Sequence, residues 1–163
     1  MNVRPGGPAD VAIVLGLLDE AVRWLTSRGR TGQWGTEPFS TNPKRVEQLA
    51  SWADDLHIAE LDGEPVGAMA LGDSPEYVPP SDVPEVYVTA LVGSRRGRGA
   101  GRWLLARARA IAEERGVDRV RVDCYAGDDR ALIGFYVSAG FTPTTPFTVG
   151  TWPGQVLEID LRR

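Results

Sequence analysis

Apolar residues at Val11, Val14, Leu15, Leu18, Val22 and Leu25 recur every three or four positions, so residues 10–28 predict a helix with one buried face, stopped at Gly29. The Gly-, Pro- and Thr-rich stretch 30–40 predicts a loop carrying Trp34 and Phe39, and Thr41-Asn42-Pro43 opens a second helix reaching about Trp52. Residues 56–61 and 66–71 are short apolar runs joined by Asp62-Gly63-Glu64-Pro65, the pattern of an antiparallel hairpin. A proline-rich connector, residues 74–84, follows. Strict alternation over 85–92 then puts Val86, Val88, Ala90 and Val92 on one face and Glu85, Tyr87, Thr89 and Leu91 on the other, which predicts a central strand.

Residues 102–115 return to the helical period through Leu104, Leu105, Ala108, Ile111 and Ala112, with Gly116 as the stop. Residues 119–125 alternate again, Val120, Val122 and Cys124 against Arg121, Asp123 and Tyr125. Strand, glycine-rich turn, helix and strand make a βαβ unit, whose strands run parallel. A last helix over 129–139 and two strands near 141–147 and 156–161 complete the pattern.

Length and composition narrow the classes. A chain of 163 residues fits one domain, residues 1–163, large enough to bury a core without disulfides or a structural metal. One cysteine, Cys124, and one histidine, His57, supply neither an internal disulfide nor the ligand cluster of a zinc site, so no metal is expected. The start, Met1-Asn2-Val3-Arg4-Pro5, lacks the charged and then long apolar run of a signal peptide, and no stretch approaches a membrane span, so a cytoplasmic location is expected. With 22 acidic against 18 basic residues the net charge is −4, which argues against nucleic acid or anionic membrane as a partner. Oligomeric state, monomer or homodimer, is not legible in the chain.

The chemistry concentrates in Arg96-Gly97-Arg98-Gly99-Ala100-Gly101, between a strand and a helix. There, backbone N–H groups and the positive end of a helix dipole converge on an anion, and glycines allow positive φ angles and close approach of phosphate oxygens. A plain tight turn fits these letters equally well when they stand alone. A Walker A loop is excluded because Arg102-Trp103 stands where Lys-Ser or Lys-Thr is needed, and a dinucleotide fingerprint fails at Arg102 and at Leu104.

The segment resembles the Arg/Gln-x-x-Gly-x-Gly/Ala turn of the GNAT family of N-acetyltransferases, met here by Arg96, Gly99 and Gly101. Residues 129–141, Asp-Arg-Ala-Leu-Ile-Gly-Phe-Tyr-Val-Ser-Ala-Gly-Phe, resemble that family's Asn-x-x-Leu/Ala-x-x-Phe-Tyr-x-x-x-Gly-Phe motif, and the two motifs stand in the family's order and separation over residues 86–142. The resemblance implies an α/β (α+β) fold with a mixed, mostly antiparallel central sheet of six or seven strands, about four flanking helices and a V-shaped cleft between the fourth and fifth strands. It also implies acetyl-CoA as cosubstrate. Arg96, Gly97, Arg98, Gly99, Ala100, Gly101 and Arg102 would hold the pyrophosphate, the main chain of Leu91, Val92 and Gly93 would face the pantetheine arm, and Asp129 would stand at the motif's Asn position, keeping a helix-capping oxygen.

By the same resemblance Tyr136 is the general acid for the leaving thiolate, and the reaction is direct attack by a primary amine of a small molecule or peptide. For the base, Glu85 is the first choice and Asp123 the second, since both lie on strand faces that could line the cleft. Trp34, Phe39, Tyr77, Tyr87, Asp123 and Tyr125 are candidates for contact with the acceptor. Cys124 belongs to an apolar row and reads as buried filler rather than a nucleophile, and His57 as structural. The alternative is a noncatalytic acyl-CoA-binding or regulatory module with the same fold.

Overall fold

The computed structural model describes residues 1–162. In chain order its main elements are β1 (Asn2–Pro5), α1 (Val11–Ser27), α2 (Pro43–Ser51), β2 (Leu56–Leu61), β3 (Glu64–Gly72), β4 (Glu85–Gly93), α3 (Ala100–Arg115), β5 (Arg119–Tyr125), α4 (Ala131–Ser138), β6 (Thr142–Val149) and β7 (Trp152–Asp160). The seven strands follow the order β1-β2-β3-β4-β5-β7-β6, mostly antiparallel, as expected for the mixed sheet. Two compact units divide the chain. The first holds Met1–Leu71 and Ala90–Arg107, and the second holds Gly72–Thr89 and the residues from Ala108 onward.

In the first unit, the helical period of α1 buries Val14, Leu17, Leu18 and Val22, so the covered stripe includes Leu17 in place of the expected Leu15 and Leu25, which are half-buried. Val14, Leu17 and Leu18 share a core with Leu49 and Ala53 from the α2 region, Leu56 and Ile58 on β2, Ala68 and Ala70 on β3, and Val92 at the end of β4. The Asn42 side chain caps α2, accepting from Lys44 N at 3.1 Å and Arg45 N at 3.4 Å, with Pro43 at the first helical position. Asp62 and Gly63 join β2 to β3 with φ of 53° and 79°, the pair of positive angles that a two-residue hairpin turn needs for its twist to match the strands. His57 on β2 is buried, its Nε2 2.9 Å from Asp55 Oδ1, which fits the structural role expected of it.

The first strand was not expected. β1 is four residues long, has no buried position, and pairs antiparallel with β2 from Asn2↔Glu60 to Pro5↔His57, so it carries none of the alternation that marks a strand in sequence. Arg4 fixes it, reaching Asp10 at 2.9 Å and Glu60 at 3.2 Å.

In the second unit, β4 and β5 pair in parallel from Glu85↔Arg119 to Val88↔Val122, while β4 itself continues to Gly93 and β5 to Tyr125. β7 pairs antiparallel with β5 along its whole length, Arg119↔Asp160 to Tyr125↔Gly154, and with β6 on its other side. β6 contains Pro143 and Pro146, and its register against β7 shifts between them. Among the described residues no helix is long and apolar enough to cross a membrane.

Candidate active site

The glycine-rich turn belongs to the first unit. It leaves β4 at Ser94, whose N–H donates to Val66 O on β3 at 2.7 Å, and tightens through Gly97 N to Ser94 O and Ala100 N to Gly97 O, both 3.2 Å, before α3 begins. Two of its glycines are required for different reasons. Gly99 has φ +84°, a left-handed angle, whereas a Cβ on Gly97 would lie 2.4 Å from Val66 Cβ. Arg96 and Arg98 are exposed.

Behind the turn stands a support from α1 that no local pattern announces, because its partners are 74 residues apart. Ser94 is buried; its Oγ donates to Glu20 Oε1 at 2.9 Å and accepts from Arg96 N at 3.2 Å and Arg96 Nε at 3.3 Å. Arg96 Nη2 lies 3.6 Å from Glu20 Oε2. One turn further along α1, Trp24 receives the Arg95 guanidinium 3.1 Å from its ring centroid, and burial together with the nearby Arg28 lowers the pKa of Arg95. Leu91 is half-buried, Val92 lies in the core and Gly93 is exposed.

Trp34 and Phe39, expected to meet the acceptor, meet each other edge-on at 5.4 Å and pack on the α1–α2 core. The Arg45 guanidinium stands 4.1 Å from the Phe39 centroid and donates to Trp34 O at 3.3 Å.

In the second unit, one face of β4 and β5 gathers most of the remaining candidates. Arg121, buried on β5, grips Glu85 through Nε at 2.6 Å and Nη2 at 2.9 Å, and its Nη1 donates to Pro79 O at 2.7 Å. The first choice for a base thus has both carboxylate oxygens held in an arginine fork, which an incoming ammonium would have to displace. Arg119, next on the same face, pairs with Asp82 at 3.0 Å and with Glu158 at 2.5 Å.

Asp123 differs. Tyr87 Oη donates to its Oδ2, and no arginine forms an ion pair with it among the described residues. Burial raises the Asp123 pKa above the ordinary carboxylate range, against the opposing effects of the Tyr87 hydrogen bond and the Arg121 charge. Tyr87, fully buried, is raised as well, by burial first and the Asp123 charge second.

A row of aromatic rings ends at Tyr125, two residues from Asp123 on β5. Tyr77 from the connector stacks on Phe147 of β6 at 5.3 Å, Phe147 approaches Trp152 at 6.2 Å, and Trp152 approaches Tyr125 at 5.5 Å. Gly154 of β7 makes room for this, since a Cβ there would lie 2.3 Å from the Phe147 ring. Phe147 and Trp152 were not among the sequence candidates, because strand positions so far along the chain reveal no neighbour across the sheet.

Tyr136 projects from α4 into a buried position, edge-on to Phe135 at 5.2 Å and Phe141 at 5.7 Å. Burial, then Cys124, then Asp123 raise its phenol, so it keeps its proton far above neutrality. Burial and the Asp123 charge likewise push the Cys124 thiol up to about 12, which leaves no thiolate at neutral pH and fits its reading as filler.

One expectation is corrected. Asp129 does not cap α4: Asp128, Asp129 and Arg130 have φ of 53°, 62° and 59°, Arg130 occupies the cap position, and no side chain makes a capping hydrogen bond. Three successive left-handed residues turn the chain into the helix, so α4 starts two residues later than its sequence pattern suggests.

Comparison with known proteins places this geometry. A family model described as the acetyltransferase (GNAT) family matches residues 18–141, from within α1 to just past α4. No curated protein matches the chain. Among solved structures, a GNAT-family acetyltransferase from Listeria monocytogenes 4b F2365 is 21% identical with TM-score 0.71, over 98% of this chain and 94% of its own. A ribosomal-protein-alanine N-acetyltransferase from Brucella melitensis is 20% identical with TM-score 0.69, over 99% and 100%. The Salmonella typhimurium protein yncA, solved with its cofactor acetyl-CoA, is 20% identical with TM-score 0.67, over 100% and 95%.

Proposed function

The chain belongs to the GNAT acetyltransferase family, and from that premise we propose that it moves the acetyl group of acetyl-CoA to a primary amine by direct attack, acting as one domain. The observation that carries this reading is the turn between β4 and α3. Its Gly99 adopts φ +84°, its Gly97 packs directly on Val66, and the family match runs from before it to beyond Tyr136.

In this reading Arg96, Gly97, Arg98, Gly99, Ala100, Gly101 and Arg102 hold the pyrophosphate at the start of α3, where the helix dipole favours an anion. Leu91, Val92 and Gly93 offer main-chain groups to the pantetheine arm, and Asp129 lies near the coenzyme. A main-chain N–H of this stretch polarises the thioester carbonyl, stabilising the oxyanion that develops as the amine attacks.

The amine must lose a proton to attack. Asp123 serves that step better than Glu85, because the Arg121 fork holds Glu85 and not Asp123, and burial raises the affinity of Asp123 for a proton. As the carbon–sulfur bond breaks, Tyr136 Oη donates to the departing thiolate, and the proton that the acylated nitrogen sheds restores the phenol. Its raised pKa keeps the phenol protonated throughout the working pH range. The products are the N-acetylamine and coenzyme A, and the acceptor, a small molecule or peptide amine, is met in the cytoplasm.

Steady-state acetylation across an amine panel, beside thermal shift with acetyl-CoA, tests this. Stabilisation by acetyl-CoA and turnover of at least one amine are expected. Tight binding with no turnover would favour a noncatalytic acyl-CoA-binding module instead. Tyr136→Phe should lower kcat about 100-fold while leaving acetyl-CoA affinity nearly unchanged; full activity in that variant would remove Tyr136 from the mechanism.

A further inference from the structure

We propose that the acceptor is a flat, apolar primary amine with no carboxylate beside its nitrogen, its body against the Tyr77, Phe147, Trp152 and Tyr125 rings and its ammonium at Asp123. This inference rests on the acetyl-transfer reading above and names the substrate class for it. Three observations, all within the second unit, carry it.

The first is the disposition of charge. Recognition of a free amino acid needs a cation for its carboxylate, and the two arginines that β5 offers on this face are both engaged. Arg121 is spent on Glu85 and Pro79 O, and Arg119 on Asp82 and Glu158. Among the described residues Asp123 forms no ion pair, and the Tyr87 hydroxyl donates to it. An ammonium is attracted there, and a carboxylate carried on the adjacent carbon is repelled.

The second is the array of rings. The spacings of 5.3, 6.2 and 5.5 Å run from Tyr77 through Phe147 and Trp152 to Tyr125 as a continuous aromatic surface. Such rings favour an aromatic body by offset or edge contact, and their faces favour a nearby cation.

The third is register, which puts charge and rings side by side. Asp123↔Val156 is followed two residues on by Tyr125↔Gly154, and Gly154 pairs in turn with Phe147. The Gly154 position carries no side chain and the Phe147 ring occupies the vacated space, which brings it over the strand toward β5. Val78, Tyr87 and Val156, a buried apolar cluster on which Phe147 packs, form the floor. The Asp123 charge also raises Tyr77 to about 12 after burial, as expected for one neighbourhood.

Matched pairs provide the test. Phenethylamine and tryptamine are compared with phenylalanine and tryptophan, which add only the carboxylate, and with phenylalanine amide and a short peptide beginning with phenylalanine. The expected kcat/KM for each amine exceeds that of its amino acid by about 100-fold or more, with the amide recovering much of the loss. Phe147→Ala should raise KM for phenethylamine about tenfold with kcat little changed, and Phe147→Leu should lie between. Amino acids used as well as the amines, a peptide preferred over all of them, or an unmoved KM in Phe147→Ala would overturn the inference and leave acetyl transfer standing. No turnover of any amine by protein that binds acetyl-CoA would instead overturn the acetyl-transfer reading beneath it.

Discussion

Asp123 works against the fold at neutral pH. Its pKa is raised in the folded chain, so between the ordinary carboxylate range and that raised value the folded state binds more protons than the unfolded one, and stability falls as pH rises through the window. Asp123→Asn, which can still accept from Tyr87, should therefore match or exceed the parent's Tm at pH 7 and lose that advantage at acid pH, while acetylation drops sharply. A Tm lower than the parent's at pH 7 would contradict the assignment. The neighbouring Cys124 thiol, pushed up to about 12, should resist iodoacetamide at pH 8 in the native protein and react only after denaturation. At this scale the sequence was silent about partners. Nothing near Glu85 announces Arg121, 36 residues away, nor near Ser94 the Glu20 carboxylate.

Elements were legible where a period ran uninterrupted. The Arg119–Tyr125 strand matches its alternation to the residue, and α1 and α2 lie within a residue or so of their patterns. The remainder went unread for identifiable reasons: β1 is short and half-exposed, and the left-handed residues before α4 imitate a helical start. The turn before α3 separates two kinds of glycine, and mutation should separate them too. Gly97→Ala drives a methyl into Val66 and should cost about 1–3 kcal/mol in denaturant titration. Gly99→Asp should weaken acetyl-CoA binding through strain, bulk and charge; an unchanged Kd would move the pyrophosphate elsewhere. Glu85→Ala strands the buried Arg121 guanidinium, and a loss of about 3 kcal/mol is expected. A stability loss near zero would return Glu85 to consideration as a base.

For the molecule as a whole, the family match spans residues 18–141, and the two motifs within it were enough to anticipate the mixed sheet and its helices. Strand order was not anticipated, since β7 inserting between β5 and β6 depends on contacts that leave no local trace. That order has a consequence for behaviour in concentrated solution. β6 stands at the end of the sheet, and an end strand is a template on which another chain can polymerise. Pro143 and Pro146 deprive it of two amide donors, and the register shift between them breaks the line of those that remain. The strand is thereby a poor seed for fibrils, and colloidal stability rests on two prolines of the strand that also carries Phe147.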